Sequence, residues 1–317
     1  MTQNSEYAIE VHHLTKRYKG LSAVDNLSFT VVKGEVFALL GPNGAGKTTT
    51  VEIINTIRTP TSGKVILLGM DVTKKKYDII PRIGVLPQGF SSFDRITVKE
   101  TLQYYSRLFS RKKPDIQGLM NLVNLKDKAA VQYKNLSGGL KQRLGIAVAL
   151  VNDPEIVFLD EPTTGLDPLA RHAMWEVLLD LKKNGKTLFL TTHYMEEAEL
   201  LADSVAILKK GKISAMGSPG ELIENNADYL VVMLKSVDET VFDIVKKMGF
   251  SPGYDSHGDI EVRLAHTDDV RRMLNAVRDG GASFTGLNVR KPNLEEVFLK
   301  LTDDTLLESF AGIEETQ

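Results

Sequence analysis

Three short stretches of this chain carry residue types at spacings that can do chemistry. GPNGAGKT, from Gly41 to Thr48, fits the pattern G-x-x-x-x-G-K-[ST] and lies between an apolar run and a helical pattern. Glycines there let the backbone curl so that several N–H groups converge on one phosphate. The helix N-terminus adds the positive end of its dipole. Lys47 is placed to reach the β- and γ-phosphates, and the Thr48 hydroxyl to ligate Mg²⁺. The nucleotide-binding set is therefore Gly41, Pro42, Asn43, Gly44, Ala45, Gly46, Lys47, Thr48 and Thr49. A glycine-rich turn with a surface lysine would share the composition, but not the strand–loop–helix context.

The second stretch is IVFLDEP. Asp160 closes an apolar run, where a carboxylate can hold magnesium through water, and Glu161 follows at once. A carboxylate at Glu161 could orient and deprotonate an attacking water. Two acidic residues capping a strand before Pro162 is the plain alternative, and the phosphate loop weighs against it. The third stretch is LSGGLKQR from Leu136. Ser137, Gly138 and Gly139 open a helical pattern marked by Leu140, Leu144, Ala147 and Val148. Ser137 reads as an N-cap. Two adjacent glycines weaken a first turn, so free N–H groups for a second anion are the better motive for them.

The elements that must hold these residues can be read from periodicity. VFALL, IVFL and TLFL are runs the length of buried strands, and each ends in polar residues. Helical patterns separate them; Met174, Val177, Leu178 and Leu181 fall on one face. Buried strands alternating with helices predict a parallel α/β sheet with ligands at the carboxyl strand ends. Before it, YAIEVHHL and LSAVDNLSFTV read as strands, with Lys33-Gly34 as a turn. From about residue 90 to 136 the pattern turns helical. Thr97 and Glu100 form a capping box, followed by a stripe of Leu102, Tyr105 and Leu108 or Phe109. Pro114 then opens a helix with Leu119, Leu122 and Val123 inward. After residue 225 the order strand, helix, strand, helix, strand, helix predicts a small α+β domain of ferredoxin-like type over 226–302. One further strand is possible between Ser251 and His257. The polar residues 303–317 read as a loose tail.

Composition narrows the function. The chain has 317 residues, no cysteine, and 39 basic against 41 acidic residues. Disulfides, thiolate metal sites and cysteine nucleophiles are excluded, and no overall basic field draws the chain to nucleic acid. No apolar run approaches a membrane span, and MTQNSEYAIE has neither the basic nor the apolar stretch of a signal peptide. The expectation is a cytosolic globular protein that does not itself enter a membrane.

Taken together and in order, GPNGAGKT, Gln88 in LPQ, LSGGLKQR, IVFLDEP, Gly165-Leu166-Asp167 and His193 in TTH resemble the ATP-binding subunits of ABC transporters over about residues 7 to 220. The resemblance implies a P-loop ATPase with a helical insert, occupying residues 1–225. It also implies that two subunits, a homodimer or a pair of paralogues, pack head to tail around Mg-ATP. Each ATP would lie between one P-loop and the partner's Ser137-Gly138-Gly139 segment. By matching position, Tyr18 is similar to the aromatic residue that stacks on adenine, and Gln88 to the glutamine that touches Mg²⁺ and the attacking water. Asp167 matches the loop crossing the dimer interface, and reads equally as an N-cap before Pro168. His193 matches the histidine at the γ-phosphate. Lys47, Gln88, Glu161 and His193 are thus the catalytic set, and Thr48, Gln88 and Asp160 the metal set. His12, His13, His172, His257 and His266 match nothing. The chain departs from the commonest pattern at Leu140, where most members carry glutamine.

KPNLEEVFLKLT, from Lys291, resembles the closing segment of ATPases that serve drug, lipid and polymer exporters, so export through a separate membrane permease is implied. The chain would then sit as a peripheral protein on the cytoplasmic face of the membrane. Importers usually append a β-rich domain or none. A soluble ATPase of the same type acting on ribosomes or DNA would share the motifs, but usually carries two ATP-binding domains or a long coiled coil. A ligand-sensing regulatory module would dimerise with ATP and scarcely turn over.

Overall fold

Strands buried on both faces need side chains that are apolar in every position, and three of the runs above are of that kind. The computed structural model describes residues 6–109, 115–235, 238–255 and 257–302. Its contacts divide the chain into two units, one running to Pro219 and one from Gly220 to Lys300.

The first unit begins β1 (Tyr7–Tyr18), β2 (Leu21–Val32), β3 (Val36–Leu40), α1 (Lys47–Ile54), β4 (Ser62–Leu67), β5 (Met70–Asp71), α2 (Lys76–Ile79) and β6 (Ile83–Leu86). It continues with α3 (Val98–Phe109), α4 (Ile116–Leu122), α5 (Gly138–Ala149), β7 (Ile156–Asp160) and α6 (Pro168–Lys183). Then follow β8 (Thr187–Thr192), α7 (Met195–Leu201), β9 (Ser204–Lys209) and β10 (Lys212–Gly217). The main sheet has the order β10-β9-β3-β8-β7-β6, parallel from β9 to β6, with β10 antiparallel at one edge. A second sheet, β2-β1-β4-β5, is antiparallel. Phe29 of that sheet stacks on Phe37 of β3 with ring centroids 5.1 Å apart, and Phe189 of β8 packs between Phe37 and Phe158. This aromatic column is the centre of a shared core.

The expected α/β fold is thus present, and the three chemistry-bearing strands β3, β8 and β7 are adjacent. Register makes their ends level: Leu40 pairs with Thr192, and Asp160 with Thr191. Strands β6 and β9 extend the sheet on either side.

In the helical segment the capping box forms as expected. Thr97 N–H donates to Glu100 Oε2 at 2.8 Å, and Glu100 N–H to Thr97 Oγ1 at 3.2 Å. The stripe that follows is only partly inward: Leu102 is buried, whereas Leu108 is 59% exposed. Pro114 lies outside the described residues. The α4 helix is capped instead by Asp115, whose carboxylate accepts from Gly118 N–H at 2.9 Å. Its deepest residue is Met120, one position from the expected Leu119, with Val123 and Leu125 also buried.

The second unit opens on α8 (Pro219–Asn226), most of which belongs to it. Then come β11 (Leu230–Lys235), α9 (Glu239–Lys247), β12 (Pro252–Tyr254), β13 (Ile260–Leu264), α10 (Thr267–Asp279), β14 (Gly286–Arg290) and α11 (Leu294–Thr302). The sheet order is β12-β13-β11-β14, antiparallel throughout, which is the split β-α-β arrangement anticipated from the sequence. β12 is the additional strand suspected between Ser251 and His257. A core of its own, including Val232, Leu234, Ile260, Val262, Met273 and Val277, holds this unit together.

Candidate functional site

The loop from Gly41 to Thr48 joins β3 to α1 and is bent by residues that only glycine serves well. Gly46 caps α1 in the left-handed region at φ 105°, and a Cβ there would collide with the Ala23 carbonyl of β2. Lys47 is buried, and its ammonium donates to Gly41 O at 2.6 Å and Pro42 O at 3.2 Å. Burial pushes the Lys47 ammonium down from its ordinary pKa, while the charges of Glu161 and Asp160 oppose that shift. The lysine is therefore held inside its own loop with two carboxylates close by.

Asp160 ends β7. Its Oδ1 accepts from Thr191 Oγ1 at 2.5 Å. Burial pushes this carboxyl up, the Thr191 hydrogen bond and Lys47 counter it, and Glu161 adds to it. Thr48 and Asp160 line one small cavity with Val51, Glu52, Pro87 and Phe158. A hydroxyl and a carboxylate are hard oxygen donors of the kind Mg²⁺ takes alongside phosphate oxygens. Among the described residues no group of three or more His, Cys, Asp or Glu is placed to hold a metal ion.

Glu161 leaves the strand with φ 49°, a conformation that costs a non-glycine residue energy and that concentrates at functional sites. Its backbone N–H is held by Thr191, through the carbonyl at 3.1 Å and the hydroxyl at 3.2 Å. The carboxylate gathers two expected residues, Gln88 and His193, together with Thr164. Gln88 Nε2 donates to Oε2 at 3.0 Å, Thr164 Oγ1 donates to the same atom at 3.1 Å, and His193 Nδ1 lies 3.5 Å from Oε1. Gln88, Glu161 and His193 thus meet at one point, level with Asp160 and beside the strand that carries the phosphate loop.

Ser137, Gly138 and Gly139 start α5. The Ser137 hydroxyl caps the helix by accepting from Leu140 N–H at a long 3.5 Å. Gly138 has open space where a Cβ would point, whereas a Cβ on Gly139 would stand 3.0 Å from Ala170 on α6. No hydrogen bond among the described residues joins this helix start to Gly41–Thr49. Asp167 caps α6, accepting from Ala170 N–H at 2.8 Å. Tyr18, at the end of β1, is half-buried with the Lys16 ammonium 5.2 Å and the Arg58 guanidinium 5.5 Å from its ring centroid.

Two residues of the site carried no motif signal. Thr191 links Asp160 to Glu161, and Thr164 adds a hydrogen bond to the Glu161 carboxylate. The polar end of TLFLTT was the available hint for the first; the second sits among turn-forming residues and gave none.

Comparison with known proteins follows the same lines. Residues 24–164 match the family described as ABC transporter. The chain is 40% identical over 302 residues to the Nod factor export ATP-binding protein I of Rhizobium meliloti (strain 1021), covering 93% of this chain and 88% of that one. The protein of the same name from Burkholderia lata is 39% identical over 302 residues, covering 93% and 96%. Among solved structures, an ATP binding subunit of an ABC transporter aligns with TM-score 0.61 at 27% identity, over 69% of this chain and 92% of that one. A dimeric ATP-binding cassette in a post-hydrolysis state bound to ADP and Pi aligns with TM-score 0.60 at 26% identity, over 66% and 98%.

Proposed function

Since this chain belongs to the ATP-binding subunits of ABC transporters and is an ATPase of that type, we propose that it powers export through a separate membrane permease, as two copies or a copy and a paralogue closing on ATP. The observation that carries the catalytic part is the convergence of Gln88, Thr164 and His193 on the Glu161 carboxylate. Glu161 takes the proton of the attacking water, and Gln88 fixes both the carboxylate and that water. His193 donates to the γ-phosphate, and Lys47 leaves its loop carbonyls for the β- and γ-phosphate oxygens. Thr48 and Asp160, with Gln88, would hold Mg²⁺, which supplies charge neutralisation at the phosphates. Tyr18 gives adenine a flat face, already polarised by two cations.

The partner side of the mechanism rests on the exposed ends of the chain's motifs. Ser137 and Gly138 offer helix N–H groups on an open surface, suited to the γ-phosphate of an ATP bound to the other subunit. In the helical segment, Phe93 (56% exposed) and Tyr104 (45% exposed) meet edge to face at 5.4 Å, close to the exposed Leu108. An aromatic patch of this kind suits cytoplasmic helices of a permease. No helix among the described residues is long and apolar enough to cross a membrane. Export is supported by likeness to the Nod factor export proteins over nearly the whole chain.

Glu161→Gln tests this reading. Its kcat should fall by about 10²–10⁴ while ATP still binds. The ATP-loaded variant should also co-purify from detergent with a polytopic membrane protein. Undiminished turnover removes Glu161 from the reaction, and recovery of ribosomes or soluble proteins alone removes transport.

A further inference from the structure

Behind the Glu161 site lies a second carboxylate that the chemistry above leaves unused. Glu197, in the first turn of α7, is wholly buried. Its Oε1 accepts a hydrogen bond from Trp175 Nε1 at 3.2 Å. Its Oε2 is buried without a hydrogen-bond partner, as are the Thr163 hydroxyl and Arg171 Nε. Burial pushes the Glu197 carboxyl up, while the neighbouring Thr192, Thr163, Trp175 and Arg171 all favour its charged form. An apolar side chain of this size would cost far less to bury, so stability alone does not account for a carboxylate here.

Each neighbour of Glu197 belongs to a piece of the site. Thr163 follows Glu161 by two residues, and the next residue, Thr164, donates to the Glu161 carboxylate. Thr192 precedes His193, and its hydroxyl accepts from Tyr194 N–H at 3.0 Å, shaping the histidine turn. Trp175 and Arg171 lie on α6, the helix that Asp167 caps. The Arg171 guanidinium stands 4.3 Å over the Tyr194 ring, and that ring lies 4.2 Å from the His193 ring, centroid to centroid. The Trp175 hydrogen bond therefore ties α7, which follows the His193 turn directly, to α6, which the Glu161 loop enters at its Asp167 cap, and Arg171 over Tyr194 makes a second link between the same two pieces.

We propose that Glu197 is a positioning residue for ATP hydrolysis, locking the His193 turn and the Pro162–Asp167 loop to α6 so that they move as one block. This rests on the roles given above to Glu161 and His193. Binding of ATP by the Gly41–Thr48 loop does not depend on the block, so its loss should appear in turnover and not in affinity.

The test uses the full chain with three variants: Glu197→Leu, Glu197→Gln and Trp175→Phe. Glu197→Leu keeps the volume and should lower kcat about tenfold or more with ATP affinity unchanged, because misplacement of reacting groups by a fraction of an ångström is enough. Glu197→Gln retains a carbonyl oxygen for the Trp175 N–H and should recover most of the rate. Trp175 is the sole tryptophan of the chain, so its emission maximum reads the contact directly and should shift in Glu197→Leu but not in Glu197→Gln. If Glu197→Leu fails to fold, Trp175→Phe, which removes the N–H donor together with part of the buried ring, should still lower kcat at unchanged ATP affinity, and wild-type turnover in it overturns the proposal. Wild-type turnover in Glu197→Leu, or parallel loss of rate and affinity in both Glu197→Leu and Trp175→Phe, overturns the proposal. Glu161→Gln assayed alongside separates the two claims: full turnover there defeats the reading of the site itself, whereas slow Glu161→Gln with fast Glu197→Leu defeats only the positioning role.

Discussion

Two glycine-rich helix starts in the first unit look alike as sequence and are built differently. At α1 the glycines answer to the chain's own backbone: Gly46 is left-handed and pressed against the Ala23 carbonyl, and Lys47 is folded into the loop. At α5 only Gly139 answers to a neighbour, Ala170, while Gly138 faces open space beside an exposed Ser137 whose cap is long. The first is a site finished within one chain. The second is a surface that acquires a purpose only when something is laid on it, as the ATP of a second subunit would be.

Substitutions at the two helix starts should therefore separate binding from turnover. The largest effect is expected from Lys47→Ala, which removes a charged donor from the phosphates and should weaken ATP binding about 10²-fold, measured by nucleotide titration of the isolated chain. Wild-type affinity there would make the α1 loop no more complete than α5. Gly46→Ala should cost about 1–3 kcal/mol of folding stability, since it puts a side chain at a left-handed position with a carbonyl in its way. Denaturant unfolding checks this, and an unaffected midpoint would mean that the loop relaxes freely. Ser137→Arg should leave ATP affinity of the monomer intact and cut kcat about tenfold or more by blocking the facing surface. Loss of both would place Ser137 in the same site as Lys47. The smallest effect separates the two glycines of α5. Gly138→Ala should stabilise the isolated chain by up to about 0.5 kcal/mol through helix propensity, while Gly139→Ala gains nothing because Ala170 must yield. Equal shifts in melting temperature would show that packing on α6 does not decide the matter.

How much of this was legible depends on which kind of constraint a residue obeys. Asp160, Glu161 and His193 could be placed because each ends a buried apolar run, and strand ends in a parallel sheet collect at one rim. The Thr97–Glu100 capping box was legible because it is closed by local hydrogen bonds three residues apart. The inward face after it was not. Leu108 continues the apolar periodicity yet stays exposed, because periodicity states which side of a helix is apolar and not whether anything covers it. Asp115 was overlooked for Pro114, since either residue type can open a helix. Glu197 was invisible for a deeper reason, and Thr191 had only the polar end of TLFLTT to mark it: the hydrogen bonds that place them span 22 and 31 residues of sequence, and a threonine or glutamate in a strand or helix has no spacing rule that announces such a partner.

The sequence by itself determined the chemistry: the curl of Gly41–Thr48, the acidic pair at Asp160 and Glu161, the helix start at Ser137, and the alternation that builds a parallel sheet. These depend on local backbone geometry and on burial, both of which act over a few residues. Tertiary structure decided the neighbours. It set β8 between β3 and β7, so that Thr191 could bond Asp160 and hold Glu161, and it brought Gln88 and His193 to a single carboxylate. It also brought the buried Glu197 of α7 to Trp175 of α6. Strand order and register follow from the packing of the whole core, in which Phe29, Phe37, Phe158 and Phe189 must stack together, and no short stretch of sequence carries that condition.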